Sequence, residues 1–194
     1  MFNLVIFGPP GAGKGTQSEK ILEKYGLTHL STGDVFRSNI KGETELGVLA
    51  KSYIDRGDLV PDEVTIAMVE DFLTNHSDAR GFVFDGFPRT ITQGEVLDNM
   101  LTDKNTAINI VLALEVVEDE LVRRLLERGK ISGRSDDQSE DKIRNRFNEY
   151  QQKTEPLLQY YEKQGKLVRV HGMGSIDEIF NSLSEAIDKA QSAA

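Results

Sequence analysis

The chain has 194 residues, a formal net charge of −9 and no cysteine, so it suits a single domain and excludes disulfides and thiolate metal sites. The acidic balance argues against general affinity for nucleic acid or anionic membranes, so any anion site must be a local basic cluster. Because no apolar stretch approaches the length of a membrane span and Phe2 to Phe7 lacks the length and basic flank of a signal peptide, we expect a soluble cytoplasmic protein.

The first predicted elements are a strand, a glycine-rich loop and a helix. The apolar run from Phe2 to Phe7 leads into GPPGAGKGT at 8–16, and a helical pattern follows. Glycines let backbone N–H groups turn inward around a polyphosphate, and the helix N-terminus adds partial positive charge. The loop meets the pattern G-x-x-x-x-G-K-[ST] except at its last position, where Gly15 stands and the hydroxyl follows at Thr16. We therefore predict a phosphate site with Lys14 as its mobile cation and a displaced magnesium hydroxyl.

The next segment predicts a small helical insertion. Thr28 to Ser31 is typical of a second strand, which ends in a loop with the sequence STGD at 31–34. Two short helical stretches follow at 35–40 and 46–54, and Asp62 is the expected N-cap of another helix. Because ligands bind at the carboxyl ends of strands in such sheets, the STGD loop is a candidate ligand contact.

A third predicted strand, Gly81 to Phe84, runs straight into DGFPR at 85–89. The charged residues Asp85 and Arg89 at the end of a buried strand indicate a ligand there, although Asp85 could instead cap the following turn. Thr92 with Glu95 matches a capping box for the next helix, which would free Gln93 from capping; Thr90 with Gln93 has the same spacing.

The second half of the chain repeats the alternation of strand and helix. Its predicted elements are a strand at 107–114, a helix at 118–127, an exposed loop at 129–139, a long helix to about Lys163 that Pro156 bends or divides, a strand at 167–170, and a final helix capped by Ser175 and Glu178. The pattern predicts an α/β fold: a five-stranded parallel sheet covered by helices on both faces, of the P-loop NTPase type.

Four motifs stand in the order and approximate spacing of the adenylate kinases: GPPGAGKGT, STGD at 31–34, GFPRTITQ at 86–93 and RGKISGRSDD at 128–137. The chain resembles that family from about residue 4 to residue 180. The resemblance implies one nucleotide-kinase domain over 1–194, with an AMP-binding insertion at 31–60 and a lid at 129–139. The lid resembles the short type found in part of the family, without the room or the cysteines for a structural zinc.

The resemblance implies two nucleotide sites. It assigns to ATP the residues Gly11, Ala12, Gly13, Lys14, Gly15, Thr16, Arg124, Arg128 and Gly174. It assigns to AMP the residues Thr32, Arg37, Asp58, Leu59, Val60, Gly86, Phe87, Pro88, Arg89, Gln93, Arg134 and Arg146. Among these, the expected catalytic residues are Lys14, Arg89, Arg128, Arg134 and Arg146. Asp85 resembles the family aspartate that holds Mg²⁺ through water.

The implied activity is reversible transfer between MgATP and AMP to give two ADP, by direct in-line displacement in a monomer. Such a reaction needs positioning and charge rather than a protein nucleophile, and arginine forks suit phosphate oxygens. A kinase for UMP, CMP or another nucleoside monophosphate is the nearest alternative, and Thr32 and Gln93 favour AMP over it. A nucleotide-binding switch is a third possibility, but arginines for two phosphate groups argue against it.

Several charged residues allow a plainer interpretation. Arg123, Arg124 and Arg128 could form a solvated helix face paired with Glu120 and Glu127. The motif context reverses that interpretation for Arg124 and Arg128, whereas Arg123 stays structural. A neighbouring pair, Asp136 and Asp137, either solubilises the loop or holds Arg128 and Arg134 in orientation.

Overall fold

The computed structural model describes residues 1–193 and contains a five-stranded, fully parallel sheet in the order β2-β3-β1-β4-β5. Its strands are β1 (Asn3–Phe7), β2 (Thr28–Ser31), β3 (Phe82–Asp85), β4 (Ile108–Glu115) and β5 (Leu167–His171). The predicted α/β fold of P-loop NTPase type is confirmed. Each crossover between parallel strands contains helix, as parallel pairing requires.

The helices follow the predicted alternation. They are α1 (Lys14–Tyr25), α2 (Thr32–Lys41), α3 (Glu45–Ile54), α4 (Asp62–Asn75), α5 (Ile91–Asp103), α6 (Glu118–Ser132), α7 (Glu140–Glu149), α8 (Pro156–Lys163) and α9 (Ile176–Ala193). Pro156 begins α8 after a π-helical turn at Tyr150–Thr154, which confirms the predicted division of the long helix. In the described part of the chain, no helix is long and apolar enough to cross a bilayer.

Both faces of the sheet are buried, because successive residues of a strand point to opposite sides. Leu4 and Ile6 of β1 belong to a core cluster with residues of α1, α6 and α9. Val5 and Phe7 of the same strand belong to a second cluster, with residues of α4, α5 and α8. Burial on both faces therefore explains why the sequence of β1 is apolar without the alternation of a half-exposed strand.

The carboxyl ends of three strands bring the predicted motifs together. Asp85 at the end of β3 is paired with Ile6 of β1 on one side and Ser31 of β2 on the other. The glycine-rich loop follows β1, the STGD motif follows β2, and the DGFPR motif follows β3. All three motifs therefore lie along one edge of the sheet.

The segment 31–60, called the insertion below, has a small apolar cluster of its own. Phe36, Ala50 and Val60 are buried together, apart from the two clusters on the sheet. The predicted loop at 31–34 is wrong, because Thr32 is the first residue of α2 and Ser31 is its N-cap, accepting a hydrogen bond from the Asp34 amide. Strand β2 thus passes into a helix without an intervening loop.

Two predicted helix caps are wrong. Pro61, not Asp62, is the N-cap of α4, and the Asp62 carboxylate bonds to side chains of another helix instead. Helix α5 is capped by Thr90, whose hydroxyl accepts from the Gln93 amide, rather than by Thr92. Thr90 and Thr92 have equivalent capping-box spacings in the sequence. Thr90 is the cap because its hydroxyl is also bonded to Asp62, which is distant in sequence. The predicted Ser175–Glu178 capping box of α9 is present in both directions.

The predicted exposed loop at 129–139 is also wrong in part. Helix α6 continues to Ser132, and Ser135–Asp137 forms a 3₁₀ turn. Asp136 and Asp137 are buried in that turn, where arginines neutralise their charge. Gly129 permits the turn to pack on α6, because a Cβ there would lie 2.5 Å from the Asp137 carbonyl oxygen.

Candidate active site

The glycine-rich loop joins β1 to α1 and carries a lysine folded back across it. Gly13 caps α1 at φ 92°, a left-handed conformation that other residues adopt at a cost. Lys14 Nζ donates to the carbonyl oxygens of Gly8, at 2.7 Å, and Pro9, at 3.2 Å. The ammonium group is therefore held over the loop that would surround a polyphosphate.

Burial lowers the pKa of Lys14 to about 8, Asp85 opposes that shift, and Arg89, Arg146 and Arg128 reinforce it. Mutual repulsion of this kind requires the cations to lie close together. A chain with a net charge of −9 thus concentrates positive charge at one edge of its sheet. That concentration is the local basic cluster which an anion site requires.

A cleft of about 1010 Å³, counting its open mouth, lies between the glycine-rich loop, the insertion and α7. The predicted site residues that line it are Lys14, Thr32, Arg37, Asp58, Leu59, Val60, Gly86, Pro88, Arg89, Gln93 and Arg146. One cleft thus gathers the lysine of the glycine-rich loop and most residues assigned to the acceptor.

Gly86 joins two of the motifs. Its carbonyl oxygen accepts from Thr32 Oγ1 and from Arg89 Nε, each at 2.8 Å. It adopts φ 82°, and a Cβ at this position would lie 2.8 Å from Thr32 Oγ1. Only glycine allows the hydroxyl and the guanidinium to approach this closely.

Arg89 is fixed at its backbone as well as its side chain. Its amide donates to Gln93 Oε1 at 2.7 Å, and its carbonyl oxygen accepts from Thr154 Oγ1 at 2.8 Å. Burial, followed by repulsion from Arg146, lowers the pKa of Arg89 to about 10. The group therefore stays charged near neutral pH while it is poorly solvated, which favours binding of an anion.

Gln93 is 1 % exposed and contacts the cleft, although both ends of its amide already have a partner. Oε1 accepts from the Arg89 amide, and Nε2 donates to Asp62 Oδ1 at 2.8 Å. The expectation that Gln93 would be freed from capping α5 is thus wrong, because its side chain accepts from the Arg89 amide just before that helix. A primary amide has two N–H bonds and two lone pairs on oxygen, so one donor and one acceptor position remain for a ligand.

Two arginines on the helices that flank the predicted lid share one aspartate. The side chain of Asp137 is 0 % exposed and accepts from Arg128 Nε at 2.6 Å and Nη2 at 3.0 Å, as well as from Arg146. Asp136 contacts Arg146 Nη1 at 3.0 Å. The two aspartates therefore hold Arg128 and Arg146, not Arg128 and Arg134 as one interpretation of the sequence suggested.

Arg134 precedes the 3₁₀ turn and faces the same group of cations. Its pKa is lowered by burial, then by Arg37 and Arg128. In the described residues its guanidinium makes no ion pair with Asp136 or Asp137. Its charge therefore lies near that of Arg37, whose Nη2 pairs with Asp34 Oδ1 at 2.6 Å.

The lid and α7 touch the insertion through polar contacts. Ser135 Oγ donates to Asp55 Oδ1 at 2.6 Å, and Asn145 Nδ2 donates to the Arg56 carbonyl oxygen at 2.8 Å and to Asp58 Oδ1 at 2.9 Å. These bonds join segments that are 80 to 89 residues apart in sequence. They close one side of the cleft.

The residues assigned to the donor base lie away from the lined cleft. Arg124 Nε donates to Glu120 at 2.7 Å, and Arg123 pairs with Glu120 and Glu127 on the exposed helix face, in keeping with its predicted structural role. Gly174 is exposed in the turn before α9.

The remaining predicted site residues differ in exposure. Ala12 and Phe87 are buried, so each can offer a nucleotide only its backbone, whereas Gly15 and Thr16 are exposed beside the glycine-rich loop.

Asp85 is the acidic residue whose charge acts on the lysine of the glycine-rich loop. Its side chain is 13 % exposed at the end of β3, and its charge acts on both Lys14 and Arg89. Among residues 1–193 no cluster of three or more acidic, histidine or cysteine side chains could hold a metal ion. A single carboxylate fits Mg²⁺ that is bound mainly by substrate phosphates and water.

Comparison with known sequences decides the family. The sequence model described as adenylate kinase matches residues 6–166. The chain belongs to the adenylate kinase family. An adenylate kinase of Flavobacterium psychrophilum is 57 % identical over 188 residues, which are 97 % of this chain and 99 % of the relative. Adenylate kinases of Flavobacterium johnsoniae and Parabacteroides distasonis are 54 % and 52 % identical, over 97 % and 98 % of this chain and 99 % and 100 % of theirs.

Several residues of this adenylate kinase cleft are not predicted by any sequence pattern. Glu149, Tyr150 and Thr154 line it from the end of α7 and the π-helical turn. Pro156 signalled an interruption of the helix, but no sequence pattern indicated that the interruption would supply the Thr154 hydroxyl to Arg89. The sequence pattern around Asp62 indicates only a helix cap.

Proposed function

We propose that the cleft holds AMP while the glycine-rich loop at 11–16 holds the triphosphate of ATP, and that the phosphoryl group passes directly between them. Membership of the adenylate kinase family makes the chain an ATP:AMP phosphotransferase, which interconverts ATP plus AMP with two ADP. The observation that carries the residue assignment is that Lys14 and three of the four arginines assigned to the acceptor, Arg37, Arg89 and Arg146, line one cleft.

The proposed chemistry uses fixed charge around the transferring group. Lys14 acts as a point charge at the donor phosphates, and Arg37 and Arg89 hold the acceptor phosphate by their guanidinium forks. Arg128, Arg134 and Arg146 stabilise charge on the phosphoryl group in transit. The acceptor phosphate is already an anion, so no general base is required.

Magnesium is part of the proposal, with Asp85 as its protein ligand through water. When bound, the ion would neutralise charge on the donor phosphates. Thr16 lies one position beyond the usual magnesium hydroxyl, and this shift suits an ion held chiefly by phosphate and water.

AMP is the proposed acceptor because of the groups around its base. Gln93 has one N–H and one lone-pair position left, which match the ring nitrogen and amino group of adenine. Guanine presents the opposite pattern of donor and acceptor. A pyrimidine is smaller than adenine, so it leaves a gap at the Gln93 amide and both positions stay unpaired. Each buried unpaired polar group costs about 1–3 kcal/mol. Two such losses imply roughly a hundredfold preference for AMP, at about 1.4 kcal/mol per factor of ten.

The proposal includes a cytoplasmic monomer with the insertion at 31–60 and the lid at 129–139 as its moving parts. One chain supplies every residue assigned to either nucleotide, so a second copy is not required. A sequence without cysteine is compatible with a reducing compartment.

The test of this proposal is kcat/KM for AMP, GMP, CMP and UMP at fixed MgATP, for the wild type and for Gln93→Ala. We expect AMP to exceed each alternative by roughly a hundredfold in the wild type, and the preference to fall sharply in Gln93→Ala. Equal use of UMP or CMP by the wild type, or full selectivity in the alanine variant, would refute the assignment of Gln93.

A further inference from the structure

A closed ring of hydrogen bonds lies behind Gln93. Thr90 Oγ1 lies 3.1 Å and 3.0 Å from Asp62 Oδ1 and Oδ2, respectively, and donates to that carboxylate. The same hydroxyl accepts from the Gln93 backbone amide at 3.2 Å, and Gln93 Nε2 donates back to Asp62 Oδ1 at 2.8 Å. The ring joins the first turns of α4 and α5, whose residues are 28 and 31 positions apart in sequence.

Asp62 and the Arg89 backbone amide together determine the positions of the oxygen and the nitrogen in the Gln93 side-chain amide. A carboxylate only accepts, so the end that faces Asp62 must be the NH₂ group. A backbone N–H only donates, so the end that faces Arg89 must be the oxygen. Rotating the amide by half a turn would set oxygen against carboxylate and N–H against N–H.

The carboxylate itself has little freedom. The Thr90 hydroxyl and the Gln93 amide bind it on α5, and it stands in the first turn of α4, where the helix dipole favours a negative charge. Because the bond from Gln93 goes to an ionised group, it is stronger than an amide–amide bond. Asp62 therefore fixes the amide more firmly than a neutral acceptor would.

We infer that Asp62 is a positioning residue for acceptor specificity, which sets the Gln93 amide in the orientation that accepts adenine and opposes guanine. The inference rests on the proposed reading of the acceptor base by Gln93. Guanine offers a donor where adenine offers an acceptor, so a Gln93 amide of reversed orientation would suit guanine. By holding one orientation, Asp62 excludes that alternative without touching the nucleotide.

The test is the ratio of kcat/KM for AMP to kcat/KM for GMP in Asp62→Asn. The asparagine is nearly isosteric and can present either an oxygen or an NH₂ group, so one constraint on the amide is lost. We expect the ratio to fall roughly tenfold or more, with the KM for ATP unchanged. Damage to the fold alone would lower both rates in proportion and leave the ratio as it was.

Glu63→Gln is the matched control, because it removes one carboxylate from the same turn of α4 at an exposed position. It should leave the ratio unchanged. If Asp62→Asn does not fold, Thr90→Val removes the hydroxyl that holds the carboxylate, and the ratio should fall in the same direction by a smaller factor.

The double variant Asp62→Asn/Gln93→Ala separates this inference from the proposed function. If Asp62 acts through Gln93, the double variant has the same ratio as Gln93→Ala alone. A lowered ratio in Gln93→Ala with an unchanged ratio in Asp62→Asn would overturn the positioning role while sparing the base assignment. An unchanged ratio in Gln93→Ala would overturn both, and a further fall in the double variant would show that Asp62 acts separately.

Discussion

At the scale of single residues, Lys14 shows most clearly how the fold prepares the site for an anion. Its ammonium group bonds only to carbonyl oxygens of the loop, and burial lowers its pKa to about 8. Between about pH 8 and the ordinary lysine pKa of 10.5, the unfolded chain binds more protons at this lysine than the folded protein does. The contribution of Lys14 to the free energy of unfolding therefore rises with pH across that window. Nucleotide phosphates have the opposite effect on the pKa of Lys14 and raise it, because they favour the charged ammonium group.

Triphosphate binding should therefore take up a proton above about pH 8. Bound phosphates raise the pKa of Lys14, so at about pH 9 the uptake should approach one proton per ATP, and at about pH 7 it should be small. Calorimetric titration in buffers of different ionisation enthalpy measures this number. The Lys14→Met variant should take up no such proton when it binds ATP. Its turnover should also fall by several orders of magnitude. No uptake at about pH 9 by the wild type would show that Lys14 stays charged without nucleotide.

At the scale of elements, sequence patterns predicted correctly those features that depend on residues close together in the chain. The glycine-rich loop and α1 follow from a motif of consecutive residues, and the Ser175–Glu178 box lies within one turn. The choice between Thr90 and Thr92 depended on Asp62, which no local pattern contains. The prediction of an exposed loop at 129–139 is wrong in part for the same reason: Asp137 is charged and lies in a polar sequence, but it is buried against arginines from α6 and α7.

Asp137→Asn tests the lid as a structural element. An asparagine oxygen can serve one of the two arginines well, so Arg128 and Arg146 lose a shared counter-charge in a buried turn. We expect a loss of about 1–3 kcal/mol in the free energy of unfolding without nucleotide, and a lower kcat/KM for AMP. Thermal unfolding with and without saturating nucleotides measures the first effect, which should shrink when phosphates supply negative charge.

Glu140→Gln is the control for that experiment, since it breaks an exposed ion pair with Arg144 in the first turn of α7. Exposed pairs contribute about 0–1 kcal/mol, so its effect should be small. If Asp137→Asn is no more destabilising than Glu140→Gln, the buried aspartate does not organise the lid.

At the scale of the whole molecule, the sequence predicted the number and direction of the strands but not which strands are neighbours. The order β2-β3-β1-β4-β5 places three motifs at one edge and assembles the cleft from them. The bonds from Ser135 and Asn145 to the insertion are likewise set by packing of distant segments. Periodicity and motif spacing contain no information on such pairings.

The contacts between the lid and the insertion are polar and few, so we expect them to open without nucleotide and close when phosphates join the two sides. The radius of gyration in solution scattering should fall measurably when a ligand that links ATP to AMP through their phosphates is saturating. AMP alone is the control and should give a smaller change. The same radius with and without the linked ligand would remove lid closure from the mechanism.

In the proposed reaction, the phosphoryl group moves from ATP to AMP in one direct, in-line displacement within this cleft. The most direct test is the stereochemical course at phosphorus, using ATP with an isotopically chiral γ-phosphoryl group and AMP as acceptor. A single displacement predicts inversion of configuration in the product ADP. Retention would require two displacements through a phosphorylated side chain, and would contradict a site built only from positioning and charge.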